Sequence, residues 1–545
     1  MGRRVGGETL RIPLWDVCGI AGIWQERQGT DLSPAADLGG HMLARIAHRG
    51  PDDRGDVCAG GRAWLGHVRL AIVDVGGGRQ PLGDPADGWA LVCNGEIYNH
   101  EDIRADLGEA AFTTASDNEA ALALLRRHGP AGLAGLRGMW ALCAARADGA
   151  FVAARDPLGI KPLYWARDGG TAYFASELRA FDSARQPLVE VFPPGCYWTP
   201  DDGLVRFAGP VPAPATPADG TGAHDTAPRA ARGGWEGVPG EVIEKATRDV
   251  LVDSVRRHLM ADVPVGVFLS GGLDSSLVAA IAAERLAETP GAPRLQTFAV
   301  GTAGSPDLLA AREVAGYLGT EHHEAVFDAR QATAALDEVI AAVESFDASL
   351  IRSSVPNWFL SELASRHVKT VLTGEGADEL FAGYGYYHAA HAAPEDLDRE
   401  LARSIAELHG LNLQRCDRVT MAHGLEARVP FLDADVIAHA MSLPPELKAL
   451  DADGVEKTHL RRAFTGRLPD SILWRRKVQF GTGSGARDVM TPRWDTLIGD
   501  EEFARARGDA DAELRSKEEL GYYRAFRRAL PYVRPKAVLT RFSTL

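Results

Sequence analysis

The sequence predicts two domains of different class, an α+β domain with antiparallel sheets followed by an α/β domain with a parallel sheet. Short β-type segments separated by turn residues occupy the first part of the chain, and strands alternate with helices from residue 241 onward. Between them, residues 209–240 are rich in Pro, Ala, Gly and Thr and repeat with neither a helix nor a strand period. We therefore expect a linker there.

The first domain is expected to cover residues 18–208, after an extension of residues 1–17. Its β-type segments are AWLGHVRLAIVDV, WALVCNGEIYN, GMWALCAAR, AFVAARD and AYFAS, and helix-like segments lie around residues 42–47 and 118–127. Short strands with turn signals and a few helices favour antiparallel sheets covered by helices.

The second domain is expected to cover residues 241–530. Residues 241–259 are amphipathic with a helical period, and the apolar run VPVGVFLS and the helical pattern SSLVAAIAAERLAE follow. A second strand and helix, LQTFAVG and DLLAAREVAGYLG, precede a third strand in VKTVLTGEGADELF. Strands that alternate with helices predict a parallel α/β sheet.

Composition narrows the class of protein. The chain has 545 residues and a formal net charge of −15, and it lacks a block of Lys and Arg, so we do not expect nucleic-acid binding. The six cysteines lack CxxC or Cys/His metal spacing, which favours a reduced setting over disulfides or a zinc site. Apolar runs are too short for a membrane span, and the N-terminus lacks the apolar core of a signal peptide. We expect a cytoplasmic protein without a membrane partner.

The segment SGGLDSS, residues 270–276, stands where a buried strand becomes a helix. Glycines let the backbone approach an anion, and the first amides of a helix point toward it. Serine hydroxyls add donors, and Asp274 can hold Mg²⁺ against phosphate oxygens. A tight turn that needs only small residues is the alternative for SGG alone. No GK[ST] follows, so this is not a Walker loop.

A second polar segment, TGEGADE at residues 373–379, follows the strand VKTVL. Acidic groups beside glycines at the carboxyl end of a strand suit metal and substrate binding in an open α/β sheet. A solvated acidic turn is the alternative. SGGLDSS resembles the pyrophosphate loop of enzymes that split ATP into AMP and pyrophosphate to adenylate a substrate. That resemblance implies an ATP site.

Cys18 stands directly before the β-type run GIAGIW. A cysteine at a free N-terminus carries its own base, because its α-amino group has a pKa of about 8 beside a thiol of about 8.5. Within a peptide bond that basicity is lost. A buried structural cysteine would be the usual explanation for a lone Cys.

Other motifs accompany Cys18: HRGPD at residues 48–52, Arg69, NGEIYN at 94–99 and Ser-Asp at 116–117. This set resembles the class II, N-terminal-nucleophile glutamine amidotransferases. With SGGLDSS and TGEGADE in the same order, the chain is similar to the glutamine-hydrolysing asparagine synthetases. The resemblance implies an Ntn-type αββα antiparallel sandwich followed by an ATP-pyrophosphatase (PP-loop) domain. It also implies an ammonia tunnel between the halves and suggests a homodimer.

The resemblance implies that Cys18 attacks the side-chain amide of glutamine, giving a thioester and ammonia. The Asn94 side chain and the Gly95 N–H would form the oxyanion hole. Arg69 would pair with the glutamine α-carboxylate through its guanidinium fork, and Asp117 and Glu96 would take the α-ammonium group. Taken singly, Arg69 or Asp117 would be read as a surface charge.

In the second domain the resemblance implies that ATP adenylates aspartate and that ammonia then displaces AMP. Glu375 would assist adenylation or take a proton from ammonia, and Lys457 would neutralise charge on the phosphates. Arg352 and Asp307 are further candidate contacts to substrate or pyrophosphate. The expected ATP-binding residues, with Asp274 and Asp378 also holding Mg²⁺ through pyrophosphate, are Leu269, Ser270, Gly271, Gly272, Asp274, Ser275, Ser276, Val300, Thr373, Gly374 and Asp378.

Three features depart from the family pattern. Seventeen residues precede Cys18, whereas the family places Cys directly after the initiator Met, so we expect a start at Val17 or a clipped propeptide. VQFGTGSG at residues 478–485 and SLIR at 349–352 differ from the usual segments around the acceptor. An amide synthetase for another carboxylic acid is therefore the alternative. A β-lactam synthetase-like cyclase needs no Cys18, and a purely regulatory module needs neither Glu375 nor Lys457.

Overall fold

A computed structural model describes residues 18–26, 32–84, 86, 88–212, 234–288, 290–390, 394–451 and 453–542. The expected extension, residues 1–17, lies outside the described residues, as does most of the expected linker, residues 213–233. Among the described helices, none is long and apolar enough to cross a membrane.

The N-terminal domain is a sandwich of two antiparallel sheets. One sheet has the strand order β2-β3-β1-β8-β7-β9 and the other the order β11-β10-β6-β5-β4. Its strands are β1 (Gly19–Gln25), β2 (Asp53–Ala59), β3 (Ala63–Arg69), β4 (Ala90–Ile97), β5 (Gly138–Ala145), β6 (Phe151–Arg155), β7 (Tyr164–Asp168), β8 (Thr171–Ala175), β9 (Glu190–Val191), β10 (Cys196–Thr199) and β11 (Gly203–Arg206). Its helices are α1 (Ser33–Arg45), α2 (His100–Leu107) and α3 (Glu119–His128).

Successive side chains of a strand point to opposite faces of its sheet, and in these two sheets the side chains on both faces are apolar. In β1, Ile20 and Trp24 join the core between the two sheets, whereas Ala21 and Ile23 join the core under helix α1. Helices α2 and α3 cover the outer face of the second sheet in the same way. The layers are therefore helix, sheet, sheet, helix, which confirms the predicted αββα sandwich.

The C-terminal domain contains a fully parallel sheet of order β14-β13-β12-β15-β16. Its strands are β12 (Val265–Phe268), β13 (Gln296–Gly301), β14 (Glu321–Val326), β15 (Thr370–Leu372) and β16 (Glu426–Arg428). Its helices are α4 (Gly240–His258), α5 (Leu273–Ala287), α6 (Pro306–Leu318), α7 (Ala329–Val343), α8 (Ala348–Ala364), α9 (Ala377–Leu380), α10 (Gly385–Ala390), α11 (Pro394–Glu407), α12 (Asn412–Met421), α13 (Ala434–Ser442), α14 (Thr458–Ala463), α15 (Asp470–Leu473), α16 (Phe480–Gly483), α17 (Ala486–Met490), α18 (Pro492–Leu497), α19 (Asp500–Asp509), α20 (Lys517–Ala529) and α21 (Pro535–Val538).

The order of this sheet fixes where a ligand can enter. From β12 the chain runs outward to β13 and β14, and it then returns to the other side of β12 to form β15 and β16. Such a reversal opens a crevice at the carboxyl ends of the two strands that flank it. SGGLDSS follows β12 and TGEGADE follows β15, so both predicted segments border the same crevice.

Most predicted elements are present. The expected helix at residues 241–259 is α4, and the strands and helices expected around SGGLDSS are β12, α5, β13 and α6. The sequence did not indicate β14 or β16, because β14 (EHHEAV) is polar and incompletely buried and β16 (EAR) is only three residues long. Both are the edge strands of the sheet.

Candidate active sites in the two domains

Cys18 lies immediately before strand β1 and is half-buried. The Leu70 N–H donates to Cys18 Sγ at 3.3 Å, and Sγ lies 3.5 Å from the Leu70 carbonyl oxygen. Burial raises the pKa of the Cys18 thiol to about 12. At neutral pH the thiol therefore needs a base before it can act as a nucleophile.

No described side chain hydrogen-bonds to Cys18 Sγ, although the Glu96 and Glu426 carboxylates are near enough for their charges to add to the rise in the pKa of the thiol. Among the described residues, the hydrogen-bond partners of Sγ are the backbone groups of Leu70, and its neighbours Leu70, Ile72 and Met421 form an apolar cluster. The Arg49 Nε donates to the Cys18 carbonyl oxygen at 3.0 Å and so fixes the backbone of this residue. A free α-amino group on Cys18 would provide such a base.

Asn94 and Gly95 lie in strand β4. The Asn94 side chain is fully buried, and neither its Nδ2 nor its Oδ1 has a hydrogen-bond partner among the described residues. Leaving such a group unsatisfied costs about 1–3 kcal/mol, and the Asn94 amide is therefore available for hydrogen bonds to a bound substrate. Gly95 has a φ of 140°, and a Cβ there would lie 1.9 Å from the Met139 carbonyl oxygen, so only glycine fits. This arrangement suits an oxyanion hole.

The predicted glutamine-binding residues lie around β4 and the loop after β3. The Arg69 guanidinium donates to the carbonyl oxygens of Val73, Asp74 and Val75 and thereby holds that loop. The Asp117 carboxylate accepts from the Ile97 N–H at 2.7 Å, and burial raises the pKa of Asp117 to about 6. Contacts of Arg69 and Asp117 to glutamine stay predictions.

Glu96 belongs to a buried cluster of charges between the two domains, which we call the interdomain cluster. The guanidinium of Arg428 lies 3.2 Å from Glu96 Oε2, and Lys161 Nζ lies 3.0 Å from Glu426 Oε2. Its members are Arg49, Glu96, Lys161 and Glu177 of the first domain and Glu344, Asp417, Arg418, Glu426 and Arg428 of the second, all buried.

This cluster contains four cations and five carboxylates. Burial, followed by the charge of Asp117, raises the pKa of Glu96 well above its usual range. Arg179, at the partly exposed edge of the cluster, lies 3.1 Å from Glu177 and 3.5 Å from Glu344 and adds a fifth positive charge. The role of Glu96 in binding an ammonium group stays a prediction.

The crevice of the second domain is a cavity of about 310 Å³. Gly271 and Ser276 are not among its lining residues, since Gly271 packs against the Ala310 backbone and the Ser276 hydroxyl is buried. The predicted residues that do line it are Leu269, Ser270, Gly272, Asp274, Ser275, Val300, Asp307, Arg352, Thr373, Gly374, Glu375, Asp378 and Lys457.

The loop before α5 is held by its own hydroxyls. The Ser270 and Ser275 Oγ atoms lie 3.1 Å apart, and the Gly272 N–H donates to Ser270 Oγ at 3.3 Å. Gly271 has a φ of 67°, a left-handed conformation that glycine adopts without strain. The loop thus turns the start of α5 toward the cavity, where a phosphate would meet the first helix amides.

Two lysines neutralise the carboxylates at the base of this loop. Lys457 Nζ lies 2.7 Å from Asp274 Oδ1 and 2.5 Å from Asp378 Oδ1, and Lys477 Nζ lies 2.6 Å from Asp378 Oδ2. Burial alone would raise the pKa of Asp378, but the two lysines outweigh it and hold that pKa below its usual range. Lys477 was not predicted from the sequence, although it stands in the basic run RRK.

Two glutamates face the cavity. Glu375 is paired with Arg415, another residue that the sequence did not indicate. The Glu379 carboxylate accepts from the Tyr384 hydroxyl and from Asn412 Nδ2, each at 3.1 Å. Burial, with the charges of Asp378 and Glu375, raises the pKa of Glu379 to about 7.

The remaining predicted contacts are engaged by other side chains. Asp307 Oδ1 lies 2.8 Å from Arg475 Nη2. The Arg352 Nε lies 3.0 Å from Glu518 Oε1, and both Arg475 and Arg352 line the cavity.

Two family models match the chain: the glutamine amidotransferase domain over residues 17–192 and asparagine synthase over residues 246–537. A probable glutamine-hydrolysing asparagine synthetase of Schizosaccharomyces pombe is 39% identical over 93% of this chain and 92% of that protein. The chain belongs to the glutamine-hydrolysing asparagine synthetase family. Two further members of the family are similar: asparagine synthetase B of Escherichia coli, 39% identical over 86% of this chain and 83% of that protein, and asparagine synthetase of Triphysaria versicolor, 41% identical over 82% and 74%.

Proposed function

We propose that this chain synthesises asparagine from aspartate, with glutamine as the nitrogen donor and ATP as the activating nucleotide. The observation that carries the proposal is the presence of two complementary sites in one chain. In the first domain, Cys18 precedes strand β1, and the buried Asn94 amide of strand β4 has no hydrogen-bond partner among the described residues. In the second, SGGLDSS, Lys457 and Lys477 surround a cavity suited to phosphates.

In the first domain, the thiol proton of Cys18 moves to its own α-amino group, and sulfur attacks the side-chain amide carbon of glutamine. The oxyanion that forms receives hydrogen bonds from Asn94 Nδ2 and the Gly95 N–H. Collapse expels ammonia, which takes a proton as it leaves, and water then hydrolyses the thioester to glutamate. The Arg69 guanidinium and Asp117 would hold the α-carboxylate and α-ammonium groups of glutamine.

This mechanism requires that the functional chain begin at Cys18. We propose that residues 1–17 are absent from it and that the domains span residues 18–208 and 241–530, joined by a linker at 209–240. That no described side chain hydrogen-bonds to Cys18 Sγ supports this boundary. N-terminal sequencing of protein from the native host should begin at Cys18. An intact Met1 or Gly2 would overturn the proposal, and such an enzyme would use ammonia but not glutamine.

In the second domain, an oxygen of the aspartate β-carboxylate attacks the α-phosphorus of ATP, and pyrophosphate leaves. The SGGLDSS loop and Lys457 would hold the pyrophosphate and neutralise its developing charge. The nitrogen of ammonia then attacks the acyl carbon, and AMP leaves with the bonding electrons. Glu375, in the same cavity, would accept the proton that the nitrogen gives up.

Mg²⁺ fits the oxygen donors at this site. Asp274 and Asp378 offer carboxylates beside the Ser275 hydroxyl, and phosphate oxygens would complete the shell that this ion prefers. Bound Mg²⁺ supplies positive charge to the phosphate oxygens. Lys457 pairs with both carboxylates and Lys477 pairs with Asp378, which holds the two carboxylates close together.

The test is to incubate the enzyme with ATP, Mg²⁺, glutamine and a panel of carboxylic acids. We expect aspartate to stimulate pyrophosphate release and asparagine to accumulate. Release that responds to another acid and not to aspartate would overturn the choice of acceptor. It would favour the alternative suggested by VQFGTGSG, residues 478–485. Sedimentation of the same preparation would show whether the chain is the homodimer that the resemblance suggests.

A further inference from the structure

The guanidinium of Arg352, on helix α8, is paired along one edge with a carboxylate from a distant helix. Its Nε lies 3.0 Å and 3.1 Å from the two carboxylate oxygens of Glu518, and its Nη2 also donates to Glu518, in the first turn of helix α20. Among the described residues, none hydrogen-bonds to Nη1. The Nε and Nη2 edge of the guanidinium is thus fixed by Glu518. The N–H groups of Nη1 remain available to bind a ligand in the cavity that Arg352 lines.

Glu518 is itself held in place. Its side chain is 4% exposed, and the Tyr522 hydroxyl, one turn further along α20, donates to Glu518 Oε1 at 2.7 Å. The Ser516 hydroxyl accepts from the Glu519 N–H and caps the helix at this end. A carboxylate fixed in this way is an anchor for Arg352, because it cannot swing aside to make room for a ligand.

We propose that Glu518 is a positioning residue for the acceptor: it orients Arg352 so that the free Nη1 edge receives the carboxylate of aspartate that is not activated. The inference rests on the proposed function. Aspartate carries two carboxylates, and the enzyme must hold one while the other attacks ATP. Ser349, on the same face of α8 as Arg352, lines the cavity beside it and can donate a further hydrogen bond to that group, whereas the Ser353 hydroxyl donates to backbone carbonyls of its own helix.

The test uses the full-length enzyme with ammonium chloride as nitrogen donor, so that Cys18 plays no part. The wild-type enzyme is first assayed for pyrophosphate release in response to aspartate. If aspartate causes no release, the proposed function is rejected before any variant is compared. In Glu518→Gln, we expect the KM for aspartate to rise about 10- to 30-fold, while the KM for ATP and kcat change less than about threefold.

Two other results would overturn the proposal. A lower KM for aspartate would mean that Glu518 competes with the acceptor for Arg352, and an unchanged KM, or a loss in kcat alone, would mean that Glu518 only ties α8 to α20. Asp337→Asn is the matched control, since it neutralises an exposed carboxylate paired at 2.8 Å with Arg528 of the same helix α20. We expect wild-type kinetics from it.

A comparison of single and double variants tests whether Glu518 acts on aspartate binding through Arg352. Arg352→Ala alone should raise the KM for aspartate at least as much as Glu518→Gln. In the Arg352→Ala background, Glu518→Gln should add less than about a twofold change, because its effect passes through Arg352. Independent, multiplying effects of the two substitutions would contradict the proposal.

Discussion

The Cys18 site and the cavity of the second domain hold their polar groups in different ways. In the first domain the proposed oxyanion donor is the neutral Asn94 amide, which is buried without a hydrogen bond among the described residues. In the cavity, Asp274 and Asp378 are matched by Lys457 and Lys477. An unsatisfied amide costs about 1–3 kcal/mol, whereas an unpaired buried charge costs several. A buried neutral amide can therefore remain without a partner until an oxyanion forms. The buried charged groups that bind phosphates must be paired with opposite charges while the site is empty.

The largest difference between the two sites is expected when the nucleophile is removed, because only the glutamine-dependent activity should be lost. In Cys18→Ala, we expect glutamine-dependent asparagine synthesis to fall by at least about 10⁴-fold, because no covalent route remains. Ammonia-dependent synthesis should stay within about twofold of wild type. Asparagine formation measured with each nitrogen donor tests this, and equal losses with both donors would contradict the independence of the two sites.

Lys457→Met should affect both nitrogen donors equally. We expect kcat to fall about 10²- to 10³-fold with glutamine or ammonia, because charge on the phosphates is no longer neutralised. The substitution also leaves two buried carboxylates with only Lys477, so the free energy of unfolding should fall by up to about 3–5 kcal/mol. Hydrolysis of glutamine in the absence of ATP is the control. A variant that lost only glutamine-dependent synthesis would contradict this role.

Asn94→Ala should change activity and stability in opposite directions. We expect glutamine hydrolysis to fall about 10²- to 10³-fold through loss of one oxyanion donor. Because no described residue hydrogen-bonds to the Asn94 amide, the melting temperature should not fall and should rise slightly. Calorimetry beside a glutaminase assay measures both quantities. A strongly destabilised variant would show that the amide is satisfied in the protein.

The smallest effect is expected from pH. Burial raises the pKa of Asp117 to about 6, with Arg428 opposing and Glu426 adding to the shift. The carboxylate is charged above that pH and neutral below it, so the KM for glutamine should rise as the pH falls through 6, approaching tenfold per unit. Asp117→Asn should bind glutamine weakly, with a KM for glutamine that does not change with pH. A wild-type KM that is constant from pH 5 to pH 8, as measured by glutamate release, would exclude this role.

The sequence indicated much of the fold, because strand and helix periods change clearly at the linker. Both polar segments of the cavity were found from their positions after buried strands. Lys477, Arg415 and Glu518 were missed, since a lysine or arginine carries no local signal of the carboxylate that it will meet far along the chain. Lys477, for example, reaches Asp378 across 99 residues. Only the tertiary fold creates such pairs.

The interdomain cluster has a consequence for protein engineering. Arg49 and Lys161 of the first domain share Asp417 of the second, and Glu96 meets Arg428 across the same boundary. A chimaera that joins this glutaminase half to a foreign synthetase half would bury cations without their carboxylates. The two halves are therefore not freely interchangeable parts. Any functional exchange must transplant both sides of this charge set together.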